Sequence, residues 1–390
     1  MSKNKEISFN QLVSLIIGLL FLLTAVFTPL PSLIGNYFEP SVTPEVKGTS
    51  TEPNLVPPLS TPLSSGGTWY EVYFTTPKIP FDDVTTGGIE SHLIDKINAA
   101  STSIDLAVYE FDLEDVTQAL IAAEKRGVTV RVVYDNEFSD PDPQMNELKQ
   151  AGIPAIPDER NAFMHNKFFV FDGACVWTGS FNISVNAAYR NNENALYFCS
   201  PEAAQNYETE FAEMFAGHFG PSSPADTPFP TFTVQGITIE NYFAPEDKVM
   251  DQVVAEVLTA QTSVHFMAFS FTSDALGEAM RTDMDKGVTV AGIFETRGAD
   301  TQYAECLPLL KKGADVTLDG NPRTFHHKVI IIDSQTVILG SFNFSNSAND
   351  ENDENLLIIH DPALAQAYEQ EFQRMKAQSL LPVNGTCKSK

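Results

Sequence analysis

Residues 162–182 read "AFMHNKFFVFDGACVWTGSFN", and residues 323–343 read "RTFHHKVIIIDSQTVILGSFN". The two stretches align without a gap at an offset of 161 residues, so that His165 aligns with His326. Self-similarity at a fixed offset is the mark of an internal duplication. The sequence therefore predicts two like domains in one chain.

The likeness extends to both sides of these stretches. Upstream, "TSIDLAVYEF" from Thr102 matches "TSVHFMAFSF" from Thr262, and downstream "PEAAQNYETEFAEMF" from Pro201 matches "PALAQAYEQEFQRMK" from Pro362. Each half reads as strand, helix, strand, helix, two further strands and a closing helix, from apolar residues at alternate or helical spacing. This alternation predicts an α/β fold with two tandem sandwich domains, each a mixed sheet flanked by helices.

Shifts in composition mark the domain boundaries. We expect the first domain at residues 69–219 and the second at 237–378. The segment 220–236 is rich in proline and reads as a linker between them. Residues 379–390 are left as a C-terminal tail.

The N-terminal segment, residues 1–38, indicates export. Lys3 and Lys5 precede an apolar stretch at 12–30 that, as a helix, is about long enough to cross a bilayer core of roughly 30 Å. No AxA-like cleavage site follows, which favours an uncleaved signal anchor over a signal peptide. Residues 39–68, rich in Pro, Ser and Thr, read as a linker. We expect a membrane helix with the folded domains outside the cytoplasm, or a secreted protein if the segment is cleaved.

The chain is strongly acidic, because 51 acidic and 24 basic residues give a formal net charge of −27. Such a surface repels polyanions, which argues against a general nucleic-acid binder. The four cysteines are irregularly spaced and match no CxxC zinc pattern. Cys175 and Cys199 flank two predicted strands and could meet, but we interpret them as buried thiols. One or two disulfides stay open for an exported chain.

Each half repeats one set of polar residues: HxK, four residues, Asp, then GSFN, then Glu-Asn. Residues two apart on a strand point to the same face, so His165 and Lys167 project together, as do His326 and Lys328. The apolar runs "FFVF" and "VIII" that follow read as buried strands. Two copies of the set in the same context favour a functional site over histidines that are merely satisfied in the core.

This constellation resembles the phospholipase D superfamily, whose hallmark is HxKx4D followed by GSxN, present twice in bilobal members. The resemblance covers roughly residues 70–376. It implies a phospholipase D-like phosphodiesterase whose two motifs meet across a pseudo-twofold axis and build one active site. By that analogy His165 is the nucleophile that forms a phosphohistidine, and His326 is the general acid for the leaving alcohol and later the base toward water. The reverse order stays open, because both halves carry the same residues.

The other repeated residues have supporting roles in this scheme. Lysines supply positive charge to the phosphate, asparagines and serines donate hydrogen bonds to its oxygens, and glutamates accept the Nδ1 proton of each histidine. The aspartates that end the HxK strands are either catalytic or capping residues. These residues are Lys167, Lys328, Asn182, Asn343, Ser180, Ser341, Glu193, Glu354, Asp172 and Asp333. We expect no metal or other cofactor, since neither half has the carboxylate cluster of a two-metal phosphodiesterase.

Two of the histidines outside the repeated set lie on predicted strands. His327 aligns with Asn166 and, on a strand, points away from His326, so we interpret it as a supporting or structural residue. His265 lies inside an apolar strand and reads as a core residue with satisfied hydrogen bonds.

The resemblance leaves the substrate open. We expect hydrolysis of a phospholipid head-group ester to phosphatidate and an alcohol, and a phosphohistidine also permits transfer to an added alcohol. The alternatives are a metal-independent endonuclease, a phosphatidyltransferase like cardiolipin synthase, and a membrane-tethered binding scaffold. The acidic charge disfavours nucleic acid as partner, a synthase typically carries paired membrane helices, and both motifs are intact. Two half-sites in one chain favour a monomer.

Overall fold

The computed structural model describes residues 68–389. The predicted membrane helix, and the linker after it up to residue 67, lie outside the described residues. Within 68–389, none of the helices combines the length and the apolar character needed to span a bilayer.

Strands and helices alternate along most of the described chain. The strands are β1 (Tyr70–Phe74), β2 (Ser103–Val108), β3 (Thr129–Tyr134), β4 (Ala155–Pro157), β5 (Phe168–Phe171), β6 (Cys175–Gly179), β7 (Asn194–Cys199), β8 (Thr231–Val234), β9 (Ile237–Ala244), β10 (Ser263–Ala268), β11 (Thr289–Phe294), β12 (Asp315–Leu318), β13 (Lys328–Ile332), β14 (Thr336–Gly340) and β15 (Glu354–Ile359). The helices are α1 (Ile89–Ala99), α2 (Glu114–Lys125), α3 (Asn136–Ser139), α4 (Pro143–Gln150), α5 (Val185–Tyr189), α6 (Pro201–Phe215), α7 (Val249–Val257), α8 (Asp274–Asp285), α9 (Cys306–Lys312), α10 (Asn346–Asp350) and α11 (Pro362–Ala377).

The strands form two mixed sheets of the same design. The first has the order β1-β7-β6-β5-β2-β3-β4, and the second has the order β12-β11-β10-β13-β14-β15-β9-β8. Read strand by strand, β9 takes the place of β1, β10 that of β2, and β13 that of β5. In each sheet the HxK strand lies antiparallel to a strand that is itself parallel to the next. The twin sheets confirm the duplicated α/β fold.

One strand lies where the sequence predicted a linker. β8 falls inside residues 220–236 and pairs with β9 at the edge of the second sheet. Its residues Phe232 and Val234 are buried, and Thr231 and Thr233 are exposed. An edge strand tolerates neighbouring prolines because one side of it needs no ladder hydrogen bonds. The linker is therefore shorter than the composition indicated.

The buried core has three layers. One outer layer joins α1 and α2 to the first sheet, and another joins α7 and α8 to the second sheet. Between the sheets, α6 and α11 pack in an inner layer that both halves share. Side chains alternate across a strand, so Phe168 and Ile331 enter the inner layer while Phe169 and Ile330 enter the outer ones. This is why "FFVF" and "VIII" are apolar at every position.

Two disulfides link the cysteines. Cys175 is bonded to Cys199, its direct partner across β6 and β7, and Cys306 is bonded to Cys387. The interpretation of Cys175 and Cys199 as buried thiols was wrong, because spacing along the chain does not reveal which strand ends are neighbours. The second disulfide ties the C-terminal segment to α9.

The shared inner layer predicts that the two halves unfold together. Leu357→Ala removes a fully buried side chain of the second half from this layer and should cost about 2–5 kcal/mol of unfolding free energy. Both tryptophans, Trp69 and Trp177, belong to the first half. In denaturant titrations we expect tryptophan fluorescence and far-UV circular dichroism to show the same lowered midpoint. A fluorescence midpoint that stays at the wild-type value would show that the halves fold independently.

Candidate active site

Short backbone contacts join the two halves beside each HxK motif. The amide N–H of His165 donates to the carbonyl oxygen of Asp353 at 2.9 Å, and that of His326 donates to Asn192 at 2.9 Å. Each motif histidine therefore lies beside the residue that precedes the glutamate of the other half. The two glutamates are brought to the histidines by the backbone itself.

The side chains pair in the same crosswise manner. His165 Nδ1 lies 2.8 Å from Glu354 Oε2, and His326 Nδ1 lies 2.8 Å from Glu193 Oε2. A carboxylate on Nδ1 selects the tautomer and leaves Nε2 for the reacting atom. The contacts agree with the orienting role predicted for both glutamates. That the pairing runs between the halves was not evident from the sequence.

The two serines of the GSFN segments support these glutamates. Ser180 Oγ donates to Glu193 Oε2 at 2.6 Å, and Ser341 Oγ donates to Glu354 Oε2 at 2.6 Å. A hydroxyl has a single proton to donate, so neither serine is free to donate to a phosphate oxygen. The expectation that Ser180 and Ser341 bind the phosphate directly is corrected: they hold the glutamates that hold the histidines.

The glycine before each serine makes this reach possible. Gly179 and Gly340 have φ of 139° and 152°, in the region that disfavours a side chain. A Cβ at Gly179 would lie 2.5 Å from the carbonyl oxygen of Asn194, and one at Gly340 would collide with Asn355 in the same way. The close approach of these neighbouring strands therefore requires glycine and brings each serine onto its glutamate.

Both motif lysines are almost fully buried beside the histidines. Lys167 Nζ donates to the carbonyl oxygen of His165 at 2.7 Å, and Lys328 Nζ to that of His326 at 2.9 Å. Burial lowers the pKa of Lys167 to about 8 and that of Lys328 to about 7, against the opposing pull of nearby carboxylates. The charge of each lysine lowers the pKa of both motif imidazoles. The two motifs therefore surround one shared space.

The same burial acts on the paired side chains. It raises the pKa of Glu193 to about 7 and that of Glu354 to about 8. It also lowers the pKa of both motif imidazoles well below the usual range, and the lysine charges lower it further. Desolvation disfavours every charged form, and a bound anion would favour the charged forms of the lysines and imidazoles.

Two asparagines remain open toward a ligand. The Oδ1 atoms of Asn182 and Asn343 are buried without a hydrogen-bond partner among the described residues. Buried polar atoms are usually paired, and an amide can turn to present its N–H groups to an anion. Their role as phosphate donors stays a prediction.

Two aromatic rings belong to the site although the sequence reasoning missed them. Tyr109 packs against the ring of His165 with centroids 4.7 Å apart, and Phe269 packs against that of His326 at 4.9 Å. Each ring also lies under the lysine of its own half, at 4.7 Å and 4.8 Å. The aligned segments "TSIDLAVYEF" and "TSVHFMAFSF" carried the signal, an aromatic residue at the same place in both.

A comparison with known families decides the classification. The family model described as the PLD-like domain of cardiolipin synthase matches twice, at residues 93–215 and 253–376, which together make up more than half of the chain. The chain belongs to the phospholipase D superfamily. Each match contains one HxK motif and its glutamate, so the two superfamily domains are the two halves that the duplication predicts.

Superfamily relatives cover part of the chain. A mitochondrial cardiolipin hydrolase from Xenopus laevis is 34% identical over 126 residues, which are 32% of this chain and 60% of the relative. A phospholipase D from Rickettsia prowazekii is 30% identical over 141 residues, 36% of this chain and 69% of the relative. The crystal structure of a phosphatidylserine synthase from Haemophilus influenzae has a TM-score of 0.57 at 14% identity, covering 74% of this chain and 84% of that one. This last likeness supports the bilobal fold.

The aspartates of the two superfamily motifs lie away from the histidines. The Asp172 carboxylate accepts hydrogen bonds from three successive backbone N–H groups, of residues 101–103, at 2.7–3.0 Å. Asp333 does the same with residues 261–263 at 2.7–2.9 Å. Both follow the far ends of β5 and β13, whose near ends carry the histidines and lysines. Of the two roles left open by the sequence, the structure supports capping and not a direct catalytic part.

His327 and His265, which lie outside the repeated set, both have carboxylate partners. His327 Nε2 lies 3.3 Å from Glu371 Oε1, and its Nδ1 lies 3.0 Å from Asn194 Nδ2, so the side chain faces away from the shared space as expected. His265 Nδ1 lies 2.8 Å from Glu369 Oε2 in a half-buried place. It has a hydrogen-bond partner, as the sequence indicated.

The capping role of Asp172 makes a stability prediction. Partial burial raises the pKa of Asp172, but the backbone hydrogen bonds outweigh burial and hold this pKa well below its usual range. The carboxylate therefore stabilises the fold above its unfolded pKa of about 4, and this contribution is lost as the pH falls through the lower folded pKa. Asp172→Asn should reduce the free energy of unfolding by about 1–3 kcal/mol at neutral pH and by less in acid, measured by denaturant titration.

The matched control for this variant is Asp95→Asn, which alters an exposed carboxylate of α1. It should change the free energy of unfolding by less than about 0.5 kcal/mol. An Asp172→Asn loss as small as that of the control, or one that stays the same in acid, contradicts the capping role.

Proposed function

We propose that this chain is a phospholipase D-type phosphodiesterase that works through a phosphohistidine. The observation that carries the proposal is the crosswise pair of His–Glu contacts around one space that also holds both lysines. A phosphodiester is a stable monoanion, so its cleavage needs a nucleophile, a proton donor for the leaving oxygen and positive charge on the phosphoryl oxygens. The two imidazoles and the two ammonium groups supply these three.

The reaction takes two steps. His165 Nε2 attacks phosphorus, the P–N bond forms as the P–O bond to the head group breaks, and His326 gives its proton to the departing oxygen. Water then attacks phosphorus, His326 takes the proton from it, and the P–N bond breaks to release phosphatidate. Through both steps Glu354 and Glu193 keep the Nδ1 protons in place. An alcohol that replaces water gives transfer instead of hydrolysis.

For the substrate we propose a phospholipid head-group ester. Phe138 and Phe163, each 36% exposed, pack on Tyr109, whose ring lies against His165. An exposed aromatic surface beside the reacting atoms offers contact to an acyl chain. The neighbouring Glu137 is exposed and, with the net charge of −27, opposes a nucleic-acid strand. The names of the Xenopus and Rickettsia relatives agree with a lipid phosphodiester.

We propose further that the two domains act outside the cytoplasm, anchored through the apolar segment at residues 12–30. The disulfides Cys175–Cys199 and Cys306–Cys387 support an oxidising compartment. A monomer is sufficient, because one chain contributes both histidines and both orienting glutamates to the site.

A turnover assay with three substrates tests the function. The purified full-length chain is incubated in detergent micelles with phosphatidylcholine, phosphatidylethanolamine or plasmid DNA, in excess chelator. We expect release of choline or ethanolamine with phosphatidate. His165→Ala and His326→Ala should each reduce the rate at least about 10³-fold, because each removes a group that takes part in bond making or proton transfer. His327→Ala should keep most of the activity near neutral pH.

The control variant for this assay is His265→Ala, which breaks a His–Glu contact outside the site and should keep the wild-type rate. Cleavage of DNA alone would replace the lipid proposal with an endonuclease. No turnover of any substrate would favour a binding scaffold. A loss in His327→Ala as large as in the two motif variants would overturn the assignment of roles.

The buried lysines predict the alkaline side of the pH profile. With pKa values of about 7 for Lys328 and about 8 for Lys167, the empty site loses positive charge as the pH rises through this range. A bound phosphate monoanion favours the charged lysines and raises their pKa. We therefore expect kcat/KM to fall at lower pH than kcat on the alkaline side, in steady-state profiles of both. Alkaline limbs that coincide would contradict the charge role of the lysines.

A further inference from the structure

The residue between the histidine and the lysine differs between the two motifs. It is Asn166 in the first half and His327 in the second, and both side chains are fully buried behind the site. Each contacts the asparagine that follows the glutamate of the other half: Asn166 contacts Asn355, and His327 contacts Asn194. The two halves thus have equivalent hydrogen-bond chains that end in different chemical groups.

In the first half the chain ends in an amide. Asn355 Nδ2 donates to Asn166 Oδ1 at 2.8 Å and lies 3.4 Å from Ser341 Oγ. Ser341 donates to Glu354, which holds His165. An amide oxygen accepts at every pH, so no proton can interrupt this chain at position 166.

In the second half the chain ends in an imidazole. Asn194 Nδ2 lies 3.0 Å from His327 Nδ1 and 3.3 Å from Ser180 Oγ. Ser180 donates to Glu193, which holds His326. The last link therefore depends on whether His327 Nδ1 is bare or protonated.

The orientation of Asn194 determines the state of His327. Tyr368 Oη donates to Asn194 Oδ1 at 3.1 Å, so the amide turns its NH₂ group toward His327. An NH₂ group can only donate, and Nδ1 must therefore accept. The proton of the neutral imidazole then sits on Nε2, which faces Glu371 Oε1 at 3.3 Å.

His327 is surrounded by charged and aromatic groups. The titratable and charged groups that face it are Glu371, Arg374 and Tyr368 on α11, Glu193 on β7, and its chain neighbour His326. The rings of Phe74 and Phe325 complete the environment. Burial raises the pKa of Glu371, but the hydrogen bond from His327 and the charge of Arg374 outweigh burial and hold this pKa below its usual range. The Glu371 carboxyl oxygen at Nε2 can accept a hydrogen bond from the ring whether or not Nδ1 also carries a proton.

The equivalent carboxyl of the first half behaves differently. Asn166 Nδ2 lies 3.4 Å from Glu210 Oε1. Burial, together with the nearby Glu246, raises the pKa of Glu210 well above the usual range. The first half is thus backed by an amide and a carboxyl whose ionisation is disfavoured, and the second by an imidazole and a carboxyl whose ionisation is favoured.

We propose that His327 is a positioning residue for His326, and that protonation of its Nδ1 on the acid side of the activity range releases the hydrogen bond that orients Glu193. The proposal rests on the phosphodiesterase function given above. When Nδ1 is protonated, it is a donor that faces the NH₂ group of Asn194, which is also a donor. The amide of Asn194 therefore turns and presents Oδ1 to the imidazole. Ser180 then finds an acceptor in place of a donor, and its hydroxyl turns from Glu193 to Asn194.

Two effects follow for His326, and they act in the same direction. The hydrogen bond from Ser180 lowers the pKa of Glu193. When that hydrogen bond is lost, Glu193 takes up a proton more readily and no longer holds the Nδ1 proton of His326. The positive charge on His327 also opposes a positive charge on His326. Both effects remove a protonated, oriented general acid, whereas His165 has no equivalent control.

The variant His327→Asn tests the proposal, because it gives the second half the amide that the first half has. An asparagine there accepts from Asn194 at every pH. We expect kcat/KM near neutral pH to stay within a few-fold of wild type and the acid limb to move to lower pH. One pH unit below the wild-type acid midpoint, the variant should be about tenfold more active than wild type. Acid limbs that coincide would overturn the proposal.

The matched control is His265→Asn. His265 pairs with Glu369 on α11, the helix that carries Glu371, but has no link to the motif glutamates. This variant should keep the wild-type acid limb. A shift as large as that of His327→Asn would mean that loss of any buried His–Glu contact moves the profile, which contradicts a specific role for His327.

A second measurement does not depend on turnover. In the full-length chain labelled with ¹⁵N-histidine, the Nδ1 signal of His326 should shift with the titration of His327, and this coupling should vanish in His327→Asn. If the coupling is present but no phosphodiester is cleaved, the proposed function fails and the positioning link stands. If lipid is cleaved but the wild-type His326 signal ignores His327, the link fails and the function stands. The wild-type titration decides this even if the variant does not fold.

Discussion

Each site histidine is held by a carboxylate that belongs to the other half of the chain, and this constraint governs the rest of the structure. His165 depends on Glu354 and His326 depends on Glu193, at 2.8 Å in both cases. Neither half can orient its own histidine, so the site exists only when the two sheets are held in register across the inner layer. The shared packing of α6 and α11 and the backbone contacts beside each motif provide that register. Orientation to a fraction of an ångström is what proton transfer demands.

Much of this arrangement was predictable from the sequence, and the reason is the duplication. An offset that keeps its value across HxK, GSFN and Glu-Asn identifies two copies of one structural unit, and the α/β periodicity then predicts the twin sheets. The same-face rule for residues two apart correctly brings each lysine to its histidine. The crosswise pairing could not be predicted. Each glutamate follows the histidine of its own half at the same spacing, and nothing in the sequence shows which of the two histidines it contacts. Only the packing of the halves decides which glutamate reaches which histidine.

The other differences also arise from contacts that lie far apart in sequence. Ser180 and Ser341 look like phosphate donors until the glycine before each is seen to place its hydroxyl on a glutamate. The aspartates of the motifs are only five positions from the lysines in sequence, but an extended strand advances by about 3.3 Å per residue and carries them to the opposite end of the strand. The disulfide Cys175–Cys199 required knowledge that β6 and β7 are neighbours.

Burial explains how so acidic a chain can hold an anion. At physiological salt, charges more than about 8 Å apart are largely screened, so the surface carboxylates count for little within the site. Inside it, desolvation pushes every ionisable group toward its neutral form: the pKa values of the lysines fall and those of the glutamates rise. A phosphate monoanion reverses this shift for the cationic groups alone, because it stabilises ammonium and imidazolium but not carboxylate. Two imidazoles in one buried space repel each other when both are charged, so the anion can support only one additional positive charge between them. Catalysis needs that charge on one histidine and not on the other. A perfectly symmetric site would share it equally, so the asymmetry comes from residues that differ between the halves. Tyr109 and Phe269 differ beside the histidines. Asn166 and His327 differ behind the motifs.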